Sequence, residues 1–318
     1  MLQSKLTFTG DLYNKQTSGI LLAVPISSLV GQTAPTQNAA SVSNVGWETA
    51  VNYHSNVRTF NYTIGLNLSN NNNRITSLPG GDQINVSGAP FPSLRRVGVP
   101  IDAIFGVEAI GIFQTAAEVA AAPFQNAKTG PGDLHYKDQN GDGKIDANDR
   151  IVMGDRFPHY TYGGNMSAQW HAFDASVLLQ GVGKQQVFLD GALIEGPTWE
   201  NFYATYLLDS WTPTNTNAKW PRFVFRDDHN QNAPGSNTWY VRDGHYLNLK
   251  NLNFGYTLPT NLASRGGLSS VRMYIAGTNI YSWSPLKGIV PTEANPGSDR
   301  ATYYYQTRNW SLGTSIGF

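Results

Sequence analysis

Residues 138–149 carry side-chain oxygens at a spacing that could bind a metal ion. The stretch reads D-Q-N-G-D-G-K-I-D-A-N-D. The candidate ligands hold loop positions one, three, five, seven, nine and twelve: Asp138, Asn140, Asp142, Lys144, Asp146 and Asp149. Lys144 would offer its backbone carbonyl, and Gly143 would permit the sharp turn at position six. Hard oxygen ligands in this order predict a Ca²⁺ loop of the EF-hand type.

Two features separate this stretch from an EF-hand. Asp149 stands where Glu is usual, and its shorter reach predicts weaker binding, in the range of roughly 10⁻⁴–10⁻³ M found in extracellular modules. The flanks, 134–136 and 150–152, read as short extended segments instead of helices. We expect Ca²⁺ to clamp the loop at 113–158 and to have no catalytic role. The alternative is a polar, glycine-turned loop that binds no metal.

The elements that must hold this loop read as β-strands. In the stretch Asn309–Phe318, apolar and small polar residues alternate with period two up to an aromatic last residue. The same alternation runs through 43–54, 58–69, 159–170 and 172–182, and less cleanly through 269–281. The polar phase is mostly Asn, Ser, Thr, Gly and Gln, which suits a wet lumen, while aromatics cluster near strand ends. The alternative is an ordinary strand of a β-sandwich.

One segment breaks the alternation. Leu247 and Leu249 share one phase, whereas Leu252, Phe254 and Tyr256 share the other. A β-bulge near Asn251 would reconcile the two phases. A strand that leaves the membrane at Lys250 would do so as well, and the sequence does not choose between them.

Loop lengths are an independent indication of the architecture. Ten or eleven strands are predicted, near 2–13, 17–24, 43–54, 58–69, 92–98, 105–112, 159–170, 172–182, 245–257, 269–281 and 307–318. Short connections at 14–16, 55–57 and His171 alternate with long ones at 25–42, 70–91, 113–158, 183–244 and 282–306. An up-and-down membrane barrel with short periplasmic turns and long outer loops predicts this asymmetry. The fold class expected is therefore all-β, an antiparallel transmembrane β-barrel segment with long extracellular loops.

Composition narrows the function classes. The 318 residues hold 22 basic and 22 acidic side chains, so nothing indicates a basic face for nucleic acid. Charged residues make up 14%, well below the ~25% of soluble domains. There is no Cys, which excludes disulfides and thiolate–metal sites. No apolar run is long enough for a transmembrane helix.

The start of the chain suggests a larger protein. Residues 1–10 lack the charged, apolar and cleavage regions of a signal peptide, and Leu6, Phe8 and Leu12 read as a strand already under way. An outer-membrane protein must be exported, so we expect residues 1–318 to be the C-terminal part of a longer barrel protein. Its plug and signal peptide would lie outside this sequence.

An ordered string of motifs carries a family resemblance. It comprises V-G-W-E at 45–48, G-I-F at 111–113, G-D-L-H-Y-K-D-Q-N-G-D-G-K-I-D at 132–146, R-I-V-M-G at 150–154, Y-T-Y-G-G-N at 160–165, Q-G at 180–181, W-T-P at 211–213, A-K-W-P-R at 218–222, D-G-H-Y-L-N-L-K-N-L at 243–252 and G-Y-T-L-P at 255–259. In order and spacing the string resembles the C-terminal barrel segment of the SusC/RagA family of TonB-linked outer-membrane proteins of Bacteroidota. The resemblance covers nearly the whole chain.

The resemblance implies nutrient import across the outer membrane of a Gram-negative cell. Family members are plugged barrels of roughly 22 strands. It also implies a TonB complex engaged through the missing N-terminal part, a SusD-like surface lipoprotein as partner, and oligosaccharides or peptides as substrates. Phe318, the aromatic last residue, is similar to the barrel-insertion signal of bacterial outer-membrane proteins. On its own the segment has open sheet edges, which lipid does not tolerate.

Aromatic residues of the long loops are candidates for substrate contact, but packing is the simpler expectation. The set comprises Trp199, Phe202, Tyr203, Tyr206, Trp211, Trp220, Trp239, Tyr240, Tyr303, Tyr304 and Tyr305, and mixed helical spacing suggests a short amphipathic helix at 198–210. None is taken as a site residue. The six His are scattered, and no nucleophile elbow is present, so an enzyme is not expected. The competing functions are a secreted Ca²⁺-dependent β-sandwich lectin or adhesin and a passive porin.

Overall fold

Eight antiparallel strands form one sheet in the computed structural model, which describes residues 5–23, 35–84, 93–189, 208–223, 237–286 and 306–318. Strands are numbered β1 to β16 along the chain. The large sheet contains, in spatial order, β1 (Leu6–Ala23), β2 (Thr36–Val57), β3 (Phe60–Ser77), β10 (Tyr160–Trp170), β11 (Phe173–Gly183), β14 (Tyr246–Thr257), β15 (Ser270–Trp283) and β16 (Asn309–Gly317). Spatial order follows chain order throughout, which is the up-and-down arrangement that the loop lengths predict.

The period-two pattern determines which way each side chain faces. Because paired residues share a face, the register carries one row of apolar side chains across the sheet: Phe60 opposite Trp170, Trp170 opposite Phe173, and Phe173 opposite Tyr256. The alternate residues, among them Asn67, Asn165 and Ser176, lie on the other face. The predicted alternation is confirmed in each strand where the sequence showed it.

Most connections at the two ends of the large sheet differ in length, as predicted; the exception is the segment 258–269, which joins β14 to β15 at the end with the tight turns. At one end β2 and β3 are joined by Arg58 and Thr59, and β10 and β11 by His171 and Ala172. Arg58 and His171 both have positive φ, near 56° and 53°, which closes these tight turns. At the other end the strands are joined through residues 24–35, 78–159, 184–245 and 284–308.

Two predictions about strands are wrong. The expected turn at 14–16 does not exist, because β1 runs unbroken through it and changes register only further on, between Thr17 and Leu21, beside the positive-φ Gly19. The expected barrel strands at 92–98 and 105–112 belong instead to small sheets in the outer loops. The sequence misled here because short apolar runs look alike whether they cross lipid or pack in a loop core.

The phase break before Tyr256 is a β-bulge. Leu178 pairs with Asn251 and Leu179 pairs with Leu249, so Lys250 is the extra residue on β14. The strand continues on both sides of it, from Tyr246 to Thr257. The bulge alternative is therefore confirmed at the neighbouring position, and the strand does not end at Lys250.

The outer loops build a second, separately packed layer. Its strands are β4 (Gln83–Ile84), β5 (Ser93–Arg95), β6 (Ala103–Val107), β7 (Ala109–Ile112), β8 (Leu134–Tyr136), β9 (Arg150–Gly154), β12 (Gln186–Phe188) and β13 (Val241–Asp243). Helices α1 (Ala116–Ala121) and α2 (Thr260–Ala263) and 3-10 turns at Ala147–Asp149, Thr238–Tyr240 and Ser264–Gly266 complete the described elements. A buried cluster containing Ile104, Leu134 and Leu189 forms the hydrophobic core of this layer. The extended flanks expected beside residues 138–149 are confirmed as β8 and β9.

Helices do not cross a membrane in the part of the chain that the structure describes, since none there is long and apolar enough.

Candidate functional site

The outward face of the large sheet is apolar and exposed. Edge-strand residues Leu12 and Leu312 are 88% and 86% exposed, and no other described element covers them. In water such an apolar face would promote aggregation, whereas in a membrane the lipid chains would cover it. The strand β10 spans 11 residues between Tyr160 and Trp170, which is the length a tilted strand needs to cross a bilayer.

An aromatic band follows the end of the sheet that carries the tight turns. Rings there contact one another across strands: Phe60 with Tyr62 at 5.4 Å, and Phe173 with Tyr256 at 4.9 Å between centroids. Aromatic girdles of this kind mark the lipid–water interface in membrane barrels. The sequence expectation of aromatics near strand ends is confirmed at this edge.

The inward face of the same strands is a polar wall rich in amides. A depression of about 530 Å³ on it is lined in part by Asn52, Asn67, Asn165 and Gln180. The amide of Asn165 lies over Gly65, where a β-carbon would collide with it. Small and amide-bearing residues therefore line a surface that water or a polar solute can follow.

Charged groups on the described inner wall are few. Asp11 and Glu48 are directly opposite each other on β1 and β2. Like charges at paired positions repel, so this part of the wall is locally acidic. By contrast, Arg272 on β15 is paired with Asp174 on β11, with Nη2 2.5 Å from Oδ2. The alternation in the sequence predicts that Asp174 and Arg272 lie on the polar face of the sheet. That they form a pair follows only from the order of the strands in the structure.

The loop at 138–149 adopts a closed, internally hydrogen-bonded turn. The carboxylate of Asp138 accepts hydrogen bonds from the backbone N–H groups of Gly141 at 2.6 Å and Gly143 at 2.8 Å. Asp149, fully buried, accepts from the N–H groups of Gln139 at 2.9 Å and Asp146 at 2.7 Å. Positive φ at Gly141 and Gly143 permits this folding, as the sequence predicted for Gly143.

The middle of the loop is held to the outer layer by backbone hydrogen bonds. Phe124 donates its N–H to the carbonyl of Gly143 at 2.9 Å, and its own carbonyl accepts the N–H of Ile145 at 2.8 Å. The side chain of Gln125 bridges β8, donating to the carbonyl of Leu134 and accepting from the N–H of Tyr136. The 138–149 turn is therefore part of the outer-loop framework.

The electrostatics of the loop favour ionised carboxylates. Backbone hydrogen bonds, chiefly from Gly143, lower the pKa of Asp138. The N–H of Asn148 and the ammonium of Lys144 lower the pKa of Asp146. Conversely, the hydrogen bond to Asp146, 2.9 Å from Nζ, raises the pKa of Lys144. A cation thus already lies beside the carboxylates of this loop, supplied by its own side chain.

The predicted ligands occupy one loop but do not form a ready cage. Within the described residues, no three His, Cys, Asp or Glu side chains gather as a metal site. Asp142 and Asp146 face Lys144, with its Nζ 3.9 Å from Asp142 Oδ2, while Asp149 is turned to backbone amides. Binding of a metal ion would require the ammonium group of Lys144 to move away from Asp142 and Asp146, and the carboxylates of the loop to turn toward one point.

Most described aromatics of the long loops are packing residues, in line with the simpler expectation. Trp211, Trp220 and Tyr240 are each less than 10% exposed, and the last two belong to the core of the outer layer. Trp199, Phe202, Tyr203, Tyr206 and Tyr303–Tyr305 lie outside the described residues, as does most of the suggested helix at 198–210. Phe318 follows the end of β16 and is 95% exposed.

Comparison with known proteins identifies relatives along the whole chain. A TonB-dependent receptor, P3, of Formosa agariphila is 28% identical over 325 residues, which is 100% of this chain and 31% of that receptor. The TonB-dependent receptor SusC of Bacteroides thetaiotaomicron is 23% identical, over 100% of this chain and 30% of its own length. The chain thus spans about a third of the relatives it matches. No family model matches it.

A solved structure has the same fold. The RagAB peptide transporter superposes with a TM-score of 0.76 over 99% of this chain and 34% of the matched chain, at 20% identity. The open eight-stranded sheet of this chain therefore corresponds to part of the wall of a larger barrel. A two-sheet sandwich would cover its apolar face with a second sheet, which the described residues do not contain.

Proposed function

We propose that this chain, which belongs to the TonB-dependent receptors of the SusC/RagA type, forms an eight-stranded part of the barrel wall of an energised importer in the outer membrane. The observation that carries the proposal is the two-faced sheet: an exposed apolar surface with an aromatic band, backed by a wall of amides and hydroxyls. Such a sheet is stable in lipid only when other strands close its edges. The remainder of the barrel and the plug would come from the rest of the protein.

The substrate class we propose is oligosaccharides or peptides, captured with a SusD-like surface lipoprotein. The amide-rich inner wall supports a polar solute, because it offers donors and acceptors and few fixed charges. The likeness to a receptor named SusC and to the RagAB peptide transporter supports the import role, and the SusD-like partner is proposed from the family resemblance. Coupling to TonB would run through receptor segments outside these 318 residues, which span about a third of the relatives' length.

Energy coupling distinguishes this function from a passive porin. Labelled oligosaccharide and peptide mixtures would be offered to cells of the host with and without a protonophore, and to cells in which the gene is deleted. We expect uptake that depends on both the gene and the proton gradient. Gene-dependent uptake that the protonophore leaves unchanged would instead identify a porin. Uptake that is the same after deletion would refute an import role.

Ca²⁺ binding at 138–149 is a second proposal. It is supported by the order of oxygen ligands, by the glycine turn at Gly143 and by the ionised state that backbone amides impose on Asp138. In this proposal the ion replaces the ammonium of Lys144. When bound, it would fix the turn against Phe124 and stiffen the outer layer, since a metal ion that binds only the folded loop stabilises it by mass action.

Titration calorimetry on the detergent-solubilised full-length receptor tests this proposal. We expect a binding isotherm for Ca²⁺ that disappears in an Asp138→Ala and Asp142→Ala double variant. Asp82→Asn is a matched control, because Asp82 lies outside the loop in an exposed ion pair with Arg96. An isotherm unchanged in the double variant, or absent from the unmodified protein, would refute the site.

A further inference from the structure

The segment 208–223 is folded as a compact strap in the outer layer. The N–H of Trp211 donates to the carbonyl of Trp220 at 2.8 Å, and that of Trp220 donates to the carbonyl of Asp209 at 3.2 Å. A turn from Thr212 to Asn215 closes its tip. The ring of Trp220 is buried in the core of the outer layer, so one end of the strap is anchored by burial of apolar surface.

The strap is joined to a different outer loop, 113–137, by polar contacts. Arg222 donates its N–H to the carbonyl of Gly132 at 2.8 Å. The indole Nε1 of Trp211 donates to Gln114 Oε1 at 2.9 Å. Two loops that are far apart in sequence are thereby held side by side.

A bidentate ion pair lies at the centre of this junction. Arg222 Nε is 2.6 Å from Asp133 Oδ1, and Arg222 Nη2 is 2.7 Å from Asp133 Oδ2. The Asp133 side chain is fully buried, whereas that of Arg222 is 34% exposed. The N–H of Gly130 also donates to Asp133 Oδ2 at 2.7 Å. A buried carboxylate that loses its cationic partner is strongly destabilised, so this contact favours one arrangement of the two loops.

The backbone of loop 113–137 is shaped to admit the strap. Gly132 has φ near +88°, and a β-carbon at this position would overlap the ring of Trp211. At Gly130 a β-carbon would lie 3.6 Å from Arg222 Nη2. Gly132 therefore leaves the space that Trp211 and Arg222 occupy, whereas a β-carbon at Gly130 would make only an ordinary contact.

We propose that Asp133 and Arg222 form a latch that fixes the strap 208–223 onto loop 113–137, so that the two loops behave as one rigid body. Opening the latch would leave the large sheet intact and release the strap. The inference stands on these contacts and does not depend on the import function or on Ca²⁺.

Hydrogen exchange measured by mass spectrometry on the solubilised full-length protein tests the latch. Asp133→Asn keeps the shape of the side chain and removes its charge, and Asp133→Ala removes both. We expect exchange of the amides in 208–223 to rise by about 10- to 100-fold in each variant, as for local opening of a segment that has lost a buried ion pair. Amides of β2 and β3 in the same sample report whether the sheet remains folded. Asp82→Asn, at the exposed pair with Arg96, is the matched control.

Each outcome decides the proposal. Faster exchange in 208–223 with unchanged β2 and β3 supports a local latch, and new trypsin cleavage after Lys219 in the same variants would agree with it. Exchange in the strap equal to that of the unmodified protein would overturn the latch. A parallel rise in β2 and β3 would overturn it as well, because Asp133 would then support the whole fold.

Discussion

Arg272 on β15 and Asp174 on β11 form an ion pair across the strand that separates them. The intervening strand, β14, presents Gly255 at this point, directly opposite Asp174 in the register. Arg272 Nε lies 2.9 Å from Asp174 Oδ1, and Arg272 Nη2 lies 3.2 Å from the amide oxygen of Asn253. A β-carbon at Gly255 would overlap both Arg272 Nη2 and Asp174 Oδ1. The absence of a side chain at Gly255 thus leaves a slot in which Arg272 reaches Asp174. The guanidinium in this slot connects β11, β14 and β15 on the inner wall.

Gly255→Ala is expected to break this pairing and destabilise the sheet. The added methyl group would displace the guanidinium, so the variant should lose the ion pair and some packing, about 1–2 kcal/mol in the free energy of unfolding. Thermal unfolding in detergent, followed by far-ultraviolet circular dichroism, would show a lower midpoint. Gly183→Ala is the control, since the nearest contact of its β-carbon would be an ordinary 3.6 Å. Equal midpoints for the two variants would contradict the slot.

Acidification is expected to loosen the outer layer around His135. The ring of His135 stacks on Phe113 at 4.3 Å, and burial lowers the pKa of this imidazole. In the unfolded chain this histidine has its ordinary pKa of about 6.5, so the unfolded form binds the proton first as the pH falls. The free energy of unfolding therefore declines below that pH. Hydrogen exchange of loop 113–137, expressed relative to the intrinsic exchange rate at each pH, should be faster at pH 5.5 than at pH 7.5.

The variant His135→Phe tests the cause of this pH dependence. It keeps an aromatic ring against Phe113 and cannot take up a proton, so the acceleration at low pH should be lost. His54→Gln changes an exposed histidine on the inner wall and should preserve it. Acceleration that persists in His135→Phe would assign the pH dependence to another group.

Removal of the Lys144 ammonium is expected to strengthen Ca²⁺ binding. The ammonium lies 2.9 Å from Asp146 Oδ2 and would have to leave when the ion binds. The pair is exposed to solvent and therefore weak, so Lys144→Gln should lower the Kd only a few-fold. Calorimetry would compare it with the control variant Lys137→Gln. The Nζ of Lys137 lies 3.3 Å from Glu108 Oε2, outside the loop. A weaker affinity in Lys144→Gln would show that this lysine assists binding.

Loss of the aromatic ring at Phe318 is expected to impair barrel insertion. Phe318 is almost fully exposed, so its removal should cost the folded protein little. Phe318→Ser should nevertheless reduce the amount of protein in the outer-membrane fraction, measured by immunoblot of separated membranes. Phe157→Ser, another exposed phenylalanine in the outer layer, is the comparison. Equal amounts for the two variants would remove the insertion role.

The sequence alone determined the faces of the strands and the asymmetry of their connections. Alternation in stretches such as Asn309–Phe318 is local, because successive side chains on any strand point to opposite sides. The glycine turn of residues 138–149 was also predictable, since glycine adopts the positive φ found at Gly143 without steric cost. The bulge in β14 was suggested by its phase break, although only the pairing with β11 identified Lys250 as the extra residue.

Tertiary structure decided what depends on partners distant in sequence. Strands predicted at 92–98 and 105–112 pack in the outer layer because their apolar side chains find a core there, which a local pattern does not reveal. The pairs Asp133–Arg222 and Asp174–Arg272 each join residues about a hundred positions apart, 89 and 98 respectively. Whether the carboxylates of 138–149 converge or turn to backbone amides is likewise a matter of three-dimensional folding. Local spacing fixes which groups are present, and long-range packing fixes which of them meet.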